Sequence, residues 1–210
     1  MRKNKLLKIY HKLLRHFGPQ HWWPGDTPFE VMVGAILTQN TNWSNVEKAI
    51  DNLRKSKLQN PKQILTAKTS KLQTLIKPSG YFRQKAKKLK AFCKWLPPKK
   101  DWNKIKREDL LGVWGIGPET ADSILCYALG KKSFVIDAYT VRIFNRLGRI
   151  KSKDYHEVKD FFEKNLPKKL KLYQEFHALI VALGKNYCRP KPQCVKCPLK
   201  SKSYCCAFFA

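Results

Sequence analysis

Between Leu110 and Phe144 the chain reads LLGVWGIGPETADSILCYALGKKSFVIDAYTVRIF, and two features of this stretch could do chemistry together. The first is a tight glycine-rich turn, Gly112-Val113-Trp114-Gly115-Ile116-Gly117, which runs through Pro118 into a helical pattern. A turn that opens a helix in this way aims backbone N–H groups at a phosphate. The second is a carboxylate, Asp137, which follows after roughly five turns' worth of helical chain. A single acid beside a bound phosphate suggests a reaction on a phosphate-bearing substrate. Taken alone, the turn is equally an ordinary corner between two helices, and Asp137 equally a simple helix N-cap.

Charge and cysteines weigh on that choice. The chain has 210 residues, with 43 Lys and Arg against 15 Asp and Glu, a formal net charge of +28. Such an excess points to a polyanionic partner, and nucleic acid is the commonest one. The longest apolar runs, around Phe29–Leu37 and Ala178–Leu183, are too short to span a bilayer, so no membrane partner is expected. The basic start, MRKNKLLKIYHKLLRHFG, has helical periodicity and no small-residue cleavage site, so we read a first amphipathic helix and no signal peptide. Five of the seven cysteines fall in the last 23 residues: Cys188, Cys194, Cys197, Cys205 and Cys206. An odd count with no export signal argues for a metal centre in a reducing compartment, and against a disulfide framework. Cytoplasmic localisation at the nucleoid is the expectation. Cys93 and Cys126 lie in apolar helical patterns and read as buried small residues.

The elements that must position these groups are helical almost throughout. Leu6, Leu7, Ile9, Tyr10, Leu13 and Leu14 share one face. After the loop GPQHWWPGDTP comes an apolar helix at Phe29–Gln39, capped by Asp26 or Thr27 with Pro28 in its first turn. Further helices are expected at Trp43–Lys55, Pro61–Thr66, Ser70–Ile76, Arg83–Trp95, Arg107–Trp114, Pro118–Leu129, Ala138–Leu147, Tyr155–Asn165 and Leu170–Leu183. Only Ser133–Ile136 has strand-like composition. The hairpin glycines are expected to permit positive φ and close approach of a phosphate, and the turn's carbonyls could also hold a monovalent cation that bridges to it.

Over nearly its whole length, the chain resembles the endonuclease III superfamily of DNA glycosylases. GVWGIGPETADSIL followed by VIDAYTVRIFNRLG is similar to that family's hairpin and catalytic segment. ILTQNTNWSNV resembles the segment that plugs the base stack, SGYFRQKAKKL the second DNA wedge, and HALIVALGKNYC with CVKCPL the tail that carries an iron–sulfur cluster. The resemblance implies an all-α, two-lobed helix-hairpin-helix glycosylase fold with a C-terminal [4Fe–4S] loop. One lobe is expected at residues 22–131, with the helix-hairpin-helix at about 107–129. The other combines residues 1–21 with 132–210, including the tail 188–205. Double-stranded damaged DNA is expected to bind a monomer, in the cleft between the lobes.

By the same resemblance each site residue takes a role. Asp137 is the catalytic carboxylate, which stabilises the sugar oxocarbenium ion and orients or deprotonates water. Bifunctional members carry a lysine two residues after the last hairpin glycine, where this chain has Glu119; a carboxylate cannot form an imine, so base removal without strand cleavage is implied. Glu119 is otherwise a first-turn acid favoured by the helix dipole. Lys131 and Lys132 come soon after, but nothing in the motif places their amines at C1′. HWWP, TQNT with an aromatic two residues on, and the glutamate together resemble the 3-methyladenine glycosylase branch. Trp22, Trp23, Pro24 and Trp43 are then expected to line an aromatic pocket for a flipped, cationic alkylated purine. Gln39 fills the vacated base stack, and Tyr81 wedges the opposite strand or is simply a surface aromatic. Gly112, Gly115 and Gly117 meet the DNA backbone, as do Lys85, Lys87, Lys88 and Lys185. Cys188, Cys194, Cys197 and Cys205 ligate the cluster, with Cys206 an alternative fourth ligand and a Cys₄ zinc the alternative centre. The alternative functions are an endonuclease III-type glycosylase/AP lyase for oxidised pyrimidines, and a non-catalytic binder of damaged DNA.

Overall fold

The computed structural model describes residues 2–22, 25–201 and 205, and among them it contains helices, turns and extended segments but no strand. The helices are α1 (Arg2–Phe17), α2 (Pro28–Leu37), α3 (Trp43–Lys55), α4 (Pro61–Thr66), α5 (Thr69–Ile76), α6 (Phe82–Trp95), α7 (Arg107–Leu111), α8 (Pro118–Ser123), α9 (Ala138–Arg146), α10 (Tyr155–Asn165) and α11 (Leu170–Asn186). None of the helices is long and apolar enough to cross a membrane. The chain divides into two compact units, Trp23–Lys131 and Met1–Trp22 with Lys132–Ala210.

The continuous unit is organised by α2, whose residues Phe29 and Val31–Leu37 are all buried. A helix apolar on every face belongs at the centre of its neighbours, and α3, α6 and α8 pack on it. Its start is fixed by Thr27, whose hydroxyl accepts the Glu30 N–H at 3.2 Å, and by Pro28 in the first turn. Asn42 and Asn60 cap α3 and α4 in the same way.

The hairpin departs from its expected bounds. Helix α7 stops at Leu111, short of Trp114, because Val113 N–H turns back to Leu110 and Ile116 N–H to Val113, each at 3.0 Å. Beyond Pro118 the expected single helix is two pieces, α8 and a π-helical stretch, Ile124–Ala128. Leu129 N–H reaches the carbonyl of Ile124 at 3.0 Å, the wider π spacing. Arg107 fastens the hairpin across its base: its Nε lies 3.0 Å from the wholly buried carboxylate of Asp122, joining α7 to α8.

In the other unit, α1 buries Leu6, Ile9 and Leu13 and packs on α11 and α10. The core is aromatic. Phe134 and Phe162 stack with centroids 4.4 Å apart, and Phe144 and Phe176 meet Phe162 edge-on. Gly184 lets α9 approach α11 closely: a Cβ there would lie 2.2 Å from the Tyr139 ring.

Ser133–Ile136, strand-like in composition but too short and isolated to make a sheet, forms no strand, and its polar groups pair with side chains. Phe134 N–H donates to the Glu163 carboxylate at 2.8 Å, and Lys159 Nζ donates to the Phe134 carbonyl at 3.1 Å and the Ser133 hydroxyl at 2.7 Å. Helix α10 thus does for this segment what a neighbouring strand would do, and the anchored segment delivers Asp137 to the start of α9.

Candidate active site

Asp137 is the N-cap of α9. Its Oδ1 accepts from the backbone N–H of Thr140 at 2.7 Å and from the Thr140 hydroxyl at 2.8 Å. Its other oxygen, Oδ2, lies 3.5 Å from Nε2 of His177 on α11. Burial by itself would push the Asp137 carboxyl up, but His177 and the two Thr140 donors outweigh it and hold the group below the usual carboxylate range. Asp137 is therefore an ionised, hydrogen-bonded carboxylate at neutral pH, although its side chain is only 11 % exposed. Capping and charge stabilisation coexist in one residue.

His177 was not legible as a site residue. A histidine within the apolar run FHALIV reads as a core side chain, and it is indeed buried. Only the packing of α11 beside the start of α9 shows what it faces. Trp22 tilts over the imidazole with centroids 5.3 Å apart and planes 31° from parallel. Trp22 and Lys185 also line one open pocket of about 210 Å³ along α11, with Gln20 and Asn186. Trp23 and Pro24 lie outside the described residues. Trp43, in the other unit, packs partly against the α2 core and donates its indole N–H to Glu47 at 2.7 Å.

The hairpin is built around Gly115, the one of its three glycines at positive φ, +86°. Gly112 and Gly117 adopt φ of −71° and −93°, so left-handed backbone is not what these two positions require. A Cβ at Gly115 would come within 2.5 Å of Lys88 Cγ. The stem of Lys88 therefore crosses the turn, and its ammonium group donates to Gln39 Oε1. Gln39 returns its amide N–H groups to the Gly115 carbonyl at 3.1 Å and to the Thr120 hydroxyl at 3.0 Å. The structure thus joins Gln39, Lys88, Gly115 and Thr120, which the sequence leaves far apart. Trp114 at the hairpin tip is 57 % exposed, and Glu119 is exposed on the first turn of α8. Lys131 donates its ammonium group to the Ile105 carbonyl.

Lys85 corrects the expectation of a phosphate contact. It is 2 % exposed, and its Nζ donates to the carbonyls of Leu37 at 2.8 Å and Ser79 at 2.6 Å. Burial, aided by the nearby Lys88 charge, lowers its pKa to about 8. Its role is to tie α6 to the end of α2. Tyr81, four residues earlier, is 70 % exposed and sits in left-handed backbone at φ +45°, a strained position for a bulky residue.

The cysteine tail is pinned by α9. Arg142 donates to the Cys188 carbonyl at 2.9 Å, and Arg146 to those of Arg189 at 2.6 Å and Pro190 at 2.8 Å. Cys188, Cys194, Cys197 and Cys205 all line one cavity of about 160 Å³, otherwise walled chiefly by Ile143, Leu147, Leu183 and Leu199. Arg146 also reaches Cys188 Sγ, at 3.5 Å. Burial pushes the Cys197 thiol up, partly offset by the Leu199 backbone, and the three other thiols push it further. Four sulfurs facing one apolar space, with a guanidinium beside them, suit an anionic metal centre. Among the described residues, no three His, Cys, Asp or Glu side chains converge as one bound ion would need. Cys206 lies outside the described residues. Cys93 and Cys126 are buried, and burial pushes the Cys93 thiol up to about 12.

A helix-hairpin-helix in one unit and a buried, ionised aspartate capping a helix in the other define a class of DNA-repair protein. Residues 33–168 match the model of the HhH-GPD superfamily base excision DNA repair proteins, and the chain belongs to that family. It is a base excision DNA repair glycosylase, an enzyme acting on N-glycosyl bonds. It is 50 % identical to MJ1434 of Methanocaldococcus jannaschii, provisionally named a DNA repair glycosylase, over 95 % of this chain and 97 % of that one. It is 32 % identical to endonuclease III of Thermotoga maritima, over 96 % of this chain and 92 % of that one. Among solved structures it is similar to the H. pylori 3-methyladenine DNA glycosylase MagIII bound to 1,N6-ethenoadenine. The TM-score is 0.78 at 33 % identity, covering 88 % of this chain and 98 % of that one. Both branches of the superfamily are therefore represented among its relatives.

Proposed function

We propose that this protein is a monofunctional glycosylase that removes alkylated purines such as 3-methyladenine from double-stranded DNA and leaves an abasic site. The observation that carries the reading is Glu119 on the exposed first turn of α8, two residues beyond Gly117. An amine there could attack C1′; a carboxylate cannot become a Schiff base. The ammonium group of Lys131 is engaged by the Ile105 carbonyl. Asp137 then acts on a bond that an N-alkylated purine has already weakened by its own positive charge. Its work is to stabilise the oxocarbenium ion and to orient water. The hairpin contributes N–H groups that α8 leaves without intrahelical acceptors, and these hold a backbone phosphate. The kinship to MagIII supports the substrate class.

Incubating the protein with methylated duplex DNA and identifying the released bases tests the substrate. Release of 3-methyladenine supports the reading, and release of oxidised pyrimidines alone overturns it. The 32 % identity to endonuclease III favours a second reading, a glycosylase/AP lyase. Borohydride trapping on abasic DNA separates the two: a covalent adduct would make the protein a lyase.

We also propose that Cys188, Cys194, Cys197 and Cys205 hold a [4Fe–4S] cluster. Its chemistry here is structural, because it would fix the loop carrying Arg189, Lys191 and Lys196 against α9. Absorption near ~400 nm with about four irons per chain is expected of such a cluster, whereas one zinc per chain would refute it.

A further inference from the structure

We infer that His177 is a positioning residue for Asp137, its Nε2 facing Oδ2 so that the reactive oxygen is held in place. The inference rests on the glycosylase reading above and names a residue that this reading leaves out. The two oxygens of Asp137 have different surroundings. Oδ1 is saturated by the N–H and hydroxyl of Thr140, at 2.7 and 2.8 Å. It is committed to the helix cap and cannot swing. Oδ2 is the oxygen left to face a developing cation or a water, and the group facing it from α11 is the imidazole, with N···O at 3.5 Å. Both side chains are nearly out of solvent, at 4 % and 11 % exposure. A polar contact so little screened is stronger than the same contact in water.

Trp22 bounds the imidazole on another side with an uncharged ring, and Asp137 is the charged group that faces it from α9. In the Nε2–H tautomer the imidazole presents a neutral donor to Oδ2, which orients the carboxylate without cancelling its charge.

Two measurements decide it. The first needs no substrate. The imidazole Nε2–H resonance of His177, assigned in the NMR spectrum by its loss in H177Q, is compared in the wild type and in D137N at one pH. Replacing the carboxylate is expected to shift that resonance and to speed its exchange with water. An unmoved resonance with unchanged exchange overturns the proposal. The second is single-turnover release of 3-methyladenine at neutral pH. H177A, which has no donor, is expected to lose ~10-fold or more at neutral pH, with H177Q losing clearly less. Equal losses in H177A and H177Q would overturn the assignment. If the wild type released no alkylated purine, the proposed substrate would fail, while the resonance arm would still decide the contact.

Discussion

Asp137 spends one carboxylate oxygen on Thr140, whose N–H and hydroxyl both donate to Oδ1 within 2.8 Å. The cap and the charge can therefore be separated by mutation. Asparagine caps helices about as well as aspartate but carries no charge. Asp137→Asn is expected to fold with stability within ~1 kcal/mol of wild type at neutral pH, and to lose roughly 10²–10⁴-fold in excision rate. Because the folded pKa of Asp137 is depressed, its ionised form stabilises the fold above the ordinary value of 3.8, and that contribution disappears as pH falls through the lowered folded value. Urea denaturation of both proteins should show the wild type's advantage shrinking below pH 4. Full excision by the asparagine variant would sink the assigned chemistry.

Glu119 gives a gain-of-function test. On the proposed reading Glu119, on the first turn of α8 two residues beyond Gly117, takes the place of an attacking amine. The wild type is expected to give no borohydride-trapped adduct on abasic DNA, and Glu119→Lys to give one. Helix dipole effects at this exposed site cost only ~0.3–1 kcal/mol, so the variant should fold. A trapped adduct in the wild type would show that another amine does the chemistry.

Lys85 separates stability from DNA binding. Lys85→Met leaves the Leu37 and Ser79 carbonyls without their donor, at an expected cost of about 1–3 kcal/mol. The salt dependence of duplex binding should not change, since a contacting lysine would contribute ~0.9 to the slope. The folded pKa of Lys85 is about 8 against an ordinary value of 10.5. Between these values the unfolded chain binds the extra proton, so wild-type stability should rise relative to Lys85→Met as pH increases from 8 to 10.5. A reduced salt slope in Lys85→Met would restore Lys85 as a phosphate contact.

Gln39 begins on the hairpin, bonded to Gly115 and Thr120 and held by Lys88. To enter a base stack it must leave these partners. Gln39→Ala is expected to weaken binding to abasic-site DNA by ~10-fold, about 1.4 kcal/mol, with undamaged duplex affected by less than ~2-fold. Gly115→Ala forces a Cβ into the Lys88 stem at a φ of +86°, and should cost roughly 1–3 kcal/mol in stability. Equal losses on damaged and undamaged DNA for Gln39→Ala would argue against a plug.

By itself the sequence determined the all-helical fold, the glycine turn before α8, the N-cap at Asp137 and the cluster of tail cysteines, because helical periodicity, caps and turn chemistry are local. It also carried Glu119, since an absent amine is visible in the primary structure. Tertiary structure decided what those local signals could not reach. Lys85 and Lys88 look alike as basic residues on α6, yet one is buried against two carbonyls and the other crosses the hairpin to Gln39. Ser133–Ile136 has strand composition but finds its partners in the side chains of α10. His177 sits in an apolar run and acquires meaning only where α11 passes the start of α9. Each of these outcomes depends on which distant group fills a hydrogen-bonding or charge requirement, and that choice is made by packing, to which spacing along the chain is blind.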